Sequence, residues 1–290
     1  ILQSTEISLD GVLHLGGRIT SKRYYQLIEK AKPKEYIMVL NHPLRNDPLH
    51  GVTLRVQSPI QKFCESIGKH VKKSSSLLVN SLQKKNSTMR GRIEEVLFKT
   101  ESLNEASVAR FITQHIPKED ALFLASSLPV RQVDMFGTAT GHSVLIGSNR
   151  GASGIDGTIA SAVGFSKGLD AATTVLIGDL AFLYDLNSLA MLRKCEKPLV
   201  IVVLNNNGGG IFHYLPIAKA TSHFEKYFGT PHDLKFHAAA DLFDLNYAKP
   251  ETNDEFVKTY KSALDSRYST IIEVETSRNS NLEIQKQIRG

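Results

Sequence analysis

The sequence predicts an α/β protein built on a doubly wound parallel sheet, and three observations carry that expectation. Four short apolar runs, at residues 121–125, 173–177, 199–204 and 269–274, are uninterrupted by polar alternation. Such runs mark strands buried on both faces, as parallel sheets require. Helical stretches lie between them, near 156–168, 180–194 and 252–265, and strand–helix alternation is the pattern of a doubly wound sheet. Segments rich in Gly, Asn and Asp follow the strands directly, where ligands bind in such folds.

The earlier part of the chain repeats the pattern more weakly. Residues 12–15 read as a strand ending at Gly16-Gly17, and a helix is predicted over 21–32, stopped by Pro33. A second strand covers 36–40. A Pro-containing loop follows over 41–48, then a short strand near 52–56 and a helix after Ser58-Pro59. A basic stretch comes next, with Lys69, Lys72, Lys73, Lys84, Lys85, Arg90 and Arg92 around Ser74-Ser75-Ser76. A helical region is expected over about 92–116. The expected organisation is a partial Rossmann-like domain over 1–100, carrying the basic insertion near 69–92, and a second α/β domain over 101–290, the passage between them falling near 90–105.

Composition narrows the function classes. The chain of 290 residues is 41% hydrophobic and 22% charged, ordinary for a globular protein that buries a core. No apolar run approaches the roughly 20 residues that span a bilayer, so no membrane insertion is expected. The first residues, Ile1-Leu2-Gln3-Ser4-Thr5, lack the basic and apolar regions of a signal peptide. The absence of an initial Met suggests a fragment or a processed piece. Cys64 and Cys195 are far apart and suit a reducing compartment. The net charge of +6 points to anionic partners. The basic stretch has no interleaved aromatics, which a nucleic-acid site would carry, and reads as a solvated insertion; no nucleic-acid partner is expected.

Three segments follow the strands of the second domain: Ser148-Asn149-Arg150-Gly151-Ala152-Ser153-Gly154-Ile155-Asp156-Gly157, then Gly178-Asp179-Leu180, then Asn205-Asn206-Asn207-Gly208-Gly209-Gly210. A carboxylate, an amide oxygen and a backbone carbonyl on one sheet edge are hard ligands that suit Mg²⁺. Glycines let backbone approach a diphosphate closely, and a helix start favours its charge. Each piece alone also reads as a helix cap or an Asn-Gly turn; two such pieces, each directly after a buried strand, favour the ligand reading.

Gly178-Asp179, followed some 25 residues later by Asn205-Asn206, resembles the thiamine diphosphate signature, with Leu180 where Gly is commoner. The wording of residues 148–157 and of Asn205 to Phe212 is similar to the SEPHCHC synthase family of the menaquinone and phylloquinone pathway. The resemblance covers most of 120–275, with islands at 17–23 and 41–57. It implies a sheet of the thiamine diphosphate-binding type, and a transferase that decarboxylates 2-oxoglutarate and adds the succinyl-semialdehyde carbanion to isochorismate. It implies Mg²⁺, with Mn²⁺ as a substitute, held by the side chains of Asp179 and Asn206 and the carbonyl of Gly208. Gly178, Leu180 and Gly209 would adjoin the cofactor, Ile155 would pack beneath it, and Ile211, Phe212 and Leu215 would line the apolar side. Ser127, Arg131 and Arg150, with Lys22 and Arg23 from the earlier domain, would bind substrate carboxylates, for which guanidinium forks are well matched. None of His142, His213, His223, His232 and His237 is assigned a catalytic role. The family implies a homodimer or homotetramer in the cytoplasm, or in a plastid stroma. An acetolactate-synthase-like carboligase and a non-catalytic nucleotide-binding module remain the alternatives.

Nothing in residues 1–120 resembles the pyrimidine-binding domain whose glutamate activates the cofactor, so that domain is expected to be absent here. The 290-residue chain alone is therefore expected to show no carboligase turnover with 2-oxoglutarate, isochorismate, Mg²⁺ and thiamine diphosphate, since general-base help is typically worth about 10²–10⁴-fold. Product formation at an enzyme-like rate would contradict this.

Overall fold

The computed structural model describes residues 7–72, 76–100, 102–138 and 143–289. Residues 1–5, Lys73, Ser74, Ser75 and His142, which entered the sequence reading, lie outside the described residues. The chain forms two compact units, Ile1–Arg92 and Ile93–Gly290.

The first unit holds a three-stranded parallel sheet of β1 (Gly11–Leu15), β2 (Glu35–Leu40) and β3 (Leu54–Gln57), in that order, with α1 (Lys22–Ala31) and α2 (Ile60–Gly68). Ser21 caps α1 by accepting a bond from Arg23 N, and the helix stops at Lys32, whose φ of 46° is left-handed, just before Pro33. Ile28, Tyr36, Met38 and Leu40 form a small core. The basic stretch belongs largely to α3 (Leu77–Phe98), which buries no residue before Ile93; Lys84, Arg90 and Arg92 are exposed.

The helix expected over 92–116 is two helices, α3 and α4 (Glu105–His115). The break comes at Asn104, whose side chain accepts from Ser107 N while Ser107 Oγ accepts from Asn104 N. This reciprocal cap starts a new helix and could not be passed through by an old one.

The second unit contains β4 (Ala121–Leu124), α5 (Leu128–Phe136), β5 (Leu145–Ser148), α6 (Thr158–Leu169), β6 (Thr173–Gly178) and α7 (Asp179–Tyr184). A 3₁₀ segment, Leu186–Lys194, follows α7 where a single helix was expected. There follow β7 (Leu199–Asn205), α8 (Thr221–Phe224), α9 (His237–Leu242), β8 (Asn246–Ala248), α10 (Asn253–Leu264), β9 (Thr270–Glu275) and α11 (Arg278–Arg289). The six strands pair in the order β5-β4-β6-β7-β9-β8, every pair parallel. This is the expected doubly wound sheet.

Alternation along the strands builds a core on each face. Leu122, Leu124, Leu176, Val200, Val202 and Ile272 join Val108, Ile112, Phe256 and Tyr260 of α4 and α10. Phe123, Val175, Ile177, Ile201, Val203 and Ile271 join Ile159, Val163, Phe182 and Leu189 on the other side. A strand clamped between helices has no solvent face, hence the largely apolar runs; the polar side chains that remain, such as Thr174 and Glu273, are buried and hydrogen-bonded. The chain moves outward from β4 to β5, then returns past β4 to β6 and continues the other way. The switch point therefore lies between β4 and β6, and ligands of such sheets bind there, at the carboxyl ends.

Among the described residues no helix is long and apolar enough to cross a membrane. Cys64 and Cys195 are both free thiols.

Asp120, at the turn into β4, titrates at about 6 because burial, then the neighbouring Glu119, disfavour its charge. A folded value raised above the unfolded one means that stability falls as pH rises from about 3.8 to about 6. Asp120→Asn should abolish that loss. The gain at pH 7 is expected to be no more than about 1 kcal/mol, since the group is partly solvated. Urea titrations at pH 4 and pH 7 check it; an equal effect of the substitution at both would contradict it.

Candidate functional site

The switch point opens into a cavity of about 150 Å³. Ser126 to Pro129 enter it from the end of β4, Gly178 to Ala181 from β6, and Leu204, Asn206 and Gly208 to Phe212 from β7; Ile155 and Glu105 complete its wall. No Lys or Arg is among the lining residues.

Asp179 is placed by the end of β6 and is 2% exposed. Its Oδ1 accepts from Leu180 N at 2.7 Å and its Oδ2 from Gly208 N at 2.8 Å. Among the described residues the basic group beside it is His232, whose Nε2 lies 3.3 Å from Oδ2. Leu234 N donates to His232 Nδ1, so that nitrogen carries no proton and Nε2 of the neutral ring does. Burial holds the Asp179 carboxyl above the usual carboxylate range in spite of these bonds.

The three asparagines after β7 divide the work. Asn205 donates to Glu273 and to Leu234 O, and Asn207 accepts from His232 N and Asp233 N. These two fasten the loop of residues 232–234 over the sheet edge. Asn206 instead faces the cavity: its Nδ2 donates to Glu105 Oε1 at 2.7 Å, and its Oδ1 is buried without a partner among the described residues. A buried orphan acceptor costs about 1–3 kcal/mol unless something satisfies it.

The glycines are held by close packing. Gly208 has φ +126°, and a Cβ there would sit 1.9 Å from Gly229 O, in the π-helical turn Glu225–Gly229. A Cβ on Gly209 would meet Phe228 O at 2.1 Å, and one on Gly210 would meet Asn206 Nδ2 at 2.6 Å. The Gly208 carbonyl accepts one bond, from Gly210 N, and keeps a second lone pair.

Ser127 opens α5 with the strained φ of 72°, and its carbonyl accepts from Arg131 Nη1. Arg150 Nη1 lies 3.5 Å from Ser126 Oγ. Arg131 and Arg150 are neighbours: burial, then the charge of Arg150, lowers the Arg131 guanidinium. Neither is in an ion pair among the described residues. Ile155 and Phe212 line the cavity, Phe212 edge-on to Phe228, whereas Leu215 is 40% exposed and outside the lining. In the first unit, Lys22 and Arg23 open α1 after β1, with Arg23 Nη1 donating to Gln26.

The sequence reading passed over Glu105. It is 1% exposed, accepts from Asn206 Nδ2 and from Gln132 Nε2, and is raised by burial with Asp179 adding to the effect. Its signal, the Asn104 cap, was hidden inside a helix read as continuous. Among the described residues no three of His, Cys, Asp and Glu cluster as a metal group. What the cavity offers instead is one carboxylate, one amide oxygen and one backbone carbonyl, all hard oxygens.

Two family descriptions match this chain. "Middle domain of thiamine pyrophosphate" takes in residues 3–124, and "Thiamine pyrophosphate enzyme, C-terminal TPP binding domain" takes in residues 133–274. The chain belongs to the thiamine pyrophosphate enzymes. Among curated relatives, the 2-succinyl-5-enolpyruvyl-6-hydroxy-3-cyclohexene-1-carboxylate synthase of Rubrobacter xylanophilus is 43% identical over 96% of this chain and 48% of its own length. Those of Prosthecochloris aestuarii and Chlorobium chlorochromatii are 39% and 42% identical, over 96% and 94% of this chain and 48% and 47% of theirs. The chain thus spans about half the length of the curated relatives it matches. A solved structure of a putative thiamin diphosphate-dependent enzyme from Mycobacterium smegmatis shares the fold, with a TM-score of 0.63, 15% identity, and coverage of 92% of this chain and 48% of that one. In a thiamine pyrophosphate enzyme, a buried carboxylate and an orphan amide oxygen, in a cavity that no described Lys or Arg lines, fit a divalent cation.

Gly208→Ala should force the 206–210 loop off Gly229. A residue with a Cβ at positive φ, meeting backbone, is expected to lower stability by at least about 1 kcal/mol, or about 2–4 °C in Tm for a unit of this size. Thermal unfolding checks it, and an unchanged Tm would show that the loop yields freely.

Proposed function

We propose that this chain supplies the metal and diphosphate half of a thiamine diphosphate site in an enzyme that decarboxylates 2-oxoglutarate and joins the remaining four-carbon unit to isochorismate. The observation that carries the reading is the buried, unpartnered Oδ1 of Asn206 in the same cavity as the buried carboxylate of Asp179. Asp179, Asn206 Oδ1 and the free lone pair of the Gly208 carbonyl would hold Mg²⁺, or Mn²⁺ in its place, with phosphate and water completing the shell. At about 150 Å³ the cavity suits a diphosphate and its cation, being smaller than the roughly 300–1,000 Å³ that encloses a drug-sized ligand.

When bound, thiamine diphosphate supplies an electron sink for the carbon that loses carbon dioxide. The chain's own residues do the rest. Ile155, Ile211 and Phe212 give the cavity an apolar wall and exclude water. Gly178, Leu180 and Gly209 let backbone approach the diphosphate. Arg131 and Arg150, two neighbouring guanidiniums in no ion pair among the described residues, are assigned to substrate carboxylates, with Ser127 beside them. Lys22 and Arg23 are assigned the same task from the first unit, and Leu215 the outer apolar edge. The names of the relatives and the doubly charged substrates they imply support this assignment. The reading includes a division into a middle domain over 1–100 and a metal and diphosphate domain over 101–290, a homodimeric or homotetrameric assembly, and a cytoplasmic setting.

Isothermal titration of the chain with thiamine diphosphate tests it. Binding should need Mg²⁺, vanish in excess chelator, and weaken strongly in Asp179→Ala; NAD should not bind. Undiminished affinity in chelator, or a preference for NAD, would overturn the reading.

A further inference from the structure

The metal ligands do not orient themselves. An asparagine amide is nearly isosteric about its own half-turn, so packing around Asn206 cannot choose which end faces the cavity. The backbone of Gly210 hems the side chain in: a Cβ there would come within 2.6 Å of Nδ2 and 3.2 Å of Oδ1. What distinguishes the two ends is the hydrogen-bond partner behind them. That partner is Glu105, whose Oε1 accepts from Asn206 Nδ2 at 2.7 Å. With the amide reversed, two acceptors would face each other across that distance, and a donor would point at the cation.

Glu105 is itself fastened on every side. It is the first residue of α4, fixed by the Asn104–Ser107 cap. Its backbone N donates to Asn281 Oδ1 at 3.1 Å, and its Oε2 accepts from Gln132 Nε2 at 2.6 Å. A carboxylate 1% exposed, with no Lys or Arg paired to it among the described residues, is costly to keep, and neither the cavity's apolar wall nor its glycines require one. We propose that Glu105 is a positioning residue, which turns the Asn206 amide so that Oδ1 faces the metal, and which acts only through that amide. The proposal rests on the thiamine diphosphate reading of the cavity.

Geometry, and not charge, should then matter at position 105. A glutamine keeps the length and an acceptor for Asn206 Nδ2. Its amide nitrogen can be met by Gln132 Oε1, which is buried and unpartnered among the described residues. An aspartate keeps the charge but withdraws it from Asn206. The test measures Mn²⁺ affinity by electron paramagnetic resonance, and thiamine diphosphate affinity by calorimetry, for the 290-residue chain and its variants, with Tm recorded for each. E105A should bind Mn²⁺ about 10–100-fold more weakly, as loss of a partner behind a metal ligand typically costs. E105Q should remain close to the parent, while E105D should be weakened by about tenfold. Adding E105A to N206A should cost nothing beyond N206A alone.

Strong binding by E105D with weak binding by E105Q would overturn the proposal in favour of a charge role. Parent-like E105A, or additive losses in the double variant, would overturn it as well; in both cases the thiamine diphosphate reading would survive if Asp179→Ala still abolished binding. Failure of the parent chain to bind Mn²⁺ with thiamine diphosphate would overturn both together. Should E105A not fold, the order of E105Q and E105D decides.

Discussion

Two carboxylates, Asp179 and Glu105, are buried in the wall of one cavity that no lysine or arginine among the described residues lines. Each is hydrogen-bonded, yet burial raises both above the usual carboxylate range. Much of the surrounding structure can be understood as holding this unfavourable pair in place. The backbone N–H of Gly208 and of Leu180 fix Asp179, the α4 cap fixes Glu105, and the glycine loop is pinned to Gly229 by contacts that tolerate no Cβ. A protein keeps such an arrangement where binding offsets its cost, and a hard divalent cation is the partner that these oxygens suit.

The sheet explains why the pair meets. Parallel order β5-β4-β6-β7-β9-β8 brings the ends of β4, β6 and β7 to one edge, and the reversal of winding between β4 and β6 leaves a gap there. Asp179 and Asn206, far apart in sequence, therefore face the same opening. Two apolar cores clamp the sheet behind that edge, and a metal bound there would depend on such support, since small displacements of ligands cost affinity.

How much was legible in the sequence follows from the range of each interaction. The central strands β4, β6, β7 and β9 could be read because burial on both faces leaves largely apolar runs, with the buried Glu273 of β9 a charged exception. β5 could not: it is an edge strand, with Leu145 60% and Ile146 56% exposed and Gly147 within it. β8 is three residues long and offers no pattern. Asp179 and Asn206 were visible because each directly follows a strand. Glu105 was not, because the bond that gives it meaning spans 101 residues to Asn206, and because a helix was read straight through its cap. His232 likewise acquires a role only from the loop that Asn207 folds back over Asp179. Local pattern reveals elements and their ends; what stands behind a ligand is tertiary.

The central claim is that Asp179, the Oδ1 of Asn206 and the Gly208 carbonyl form one hard cation site. A crystal structure with Mn²⁺ and thiamine diphosphate, phased to show the anomalous signal of the metal, tests it most directly. The account predicts a single Mn²⁺ bound by these three oxygens at roughly 2.0–2.2 Å, with diphosphate oxygens in the remaining positions. An ion elsewhere, or an Asn206 that turns its Nδ2 to the cavity while the cofactor is bound, would contradict it.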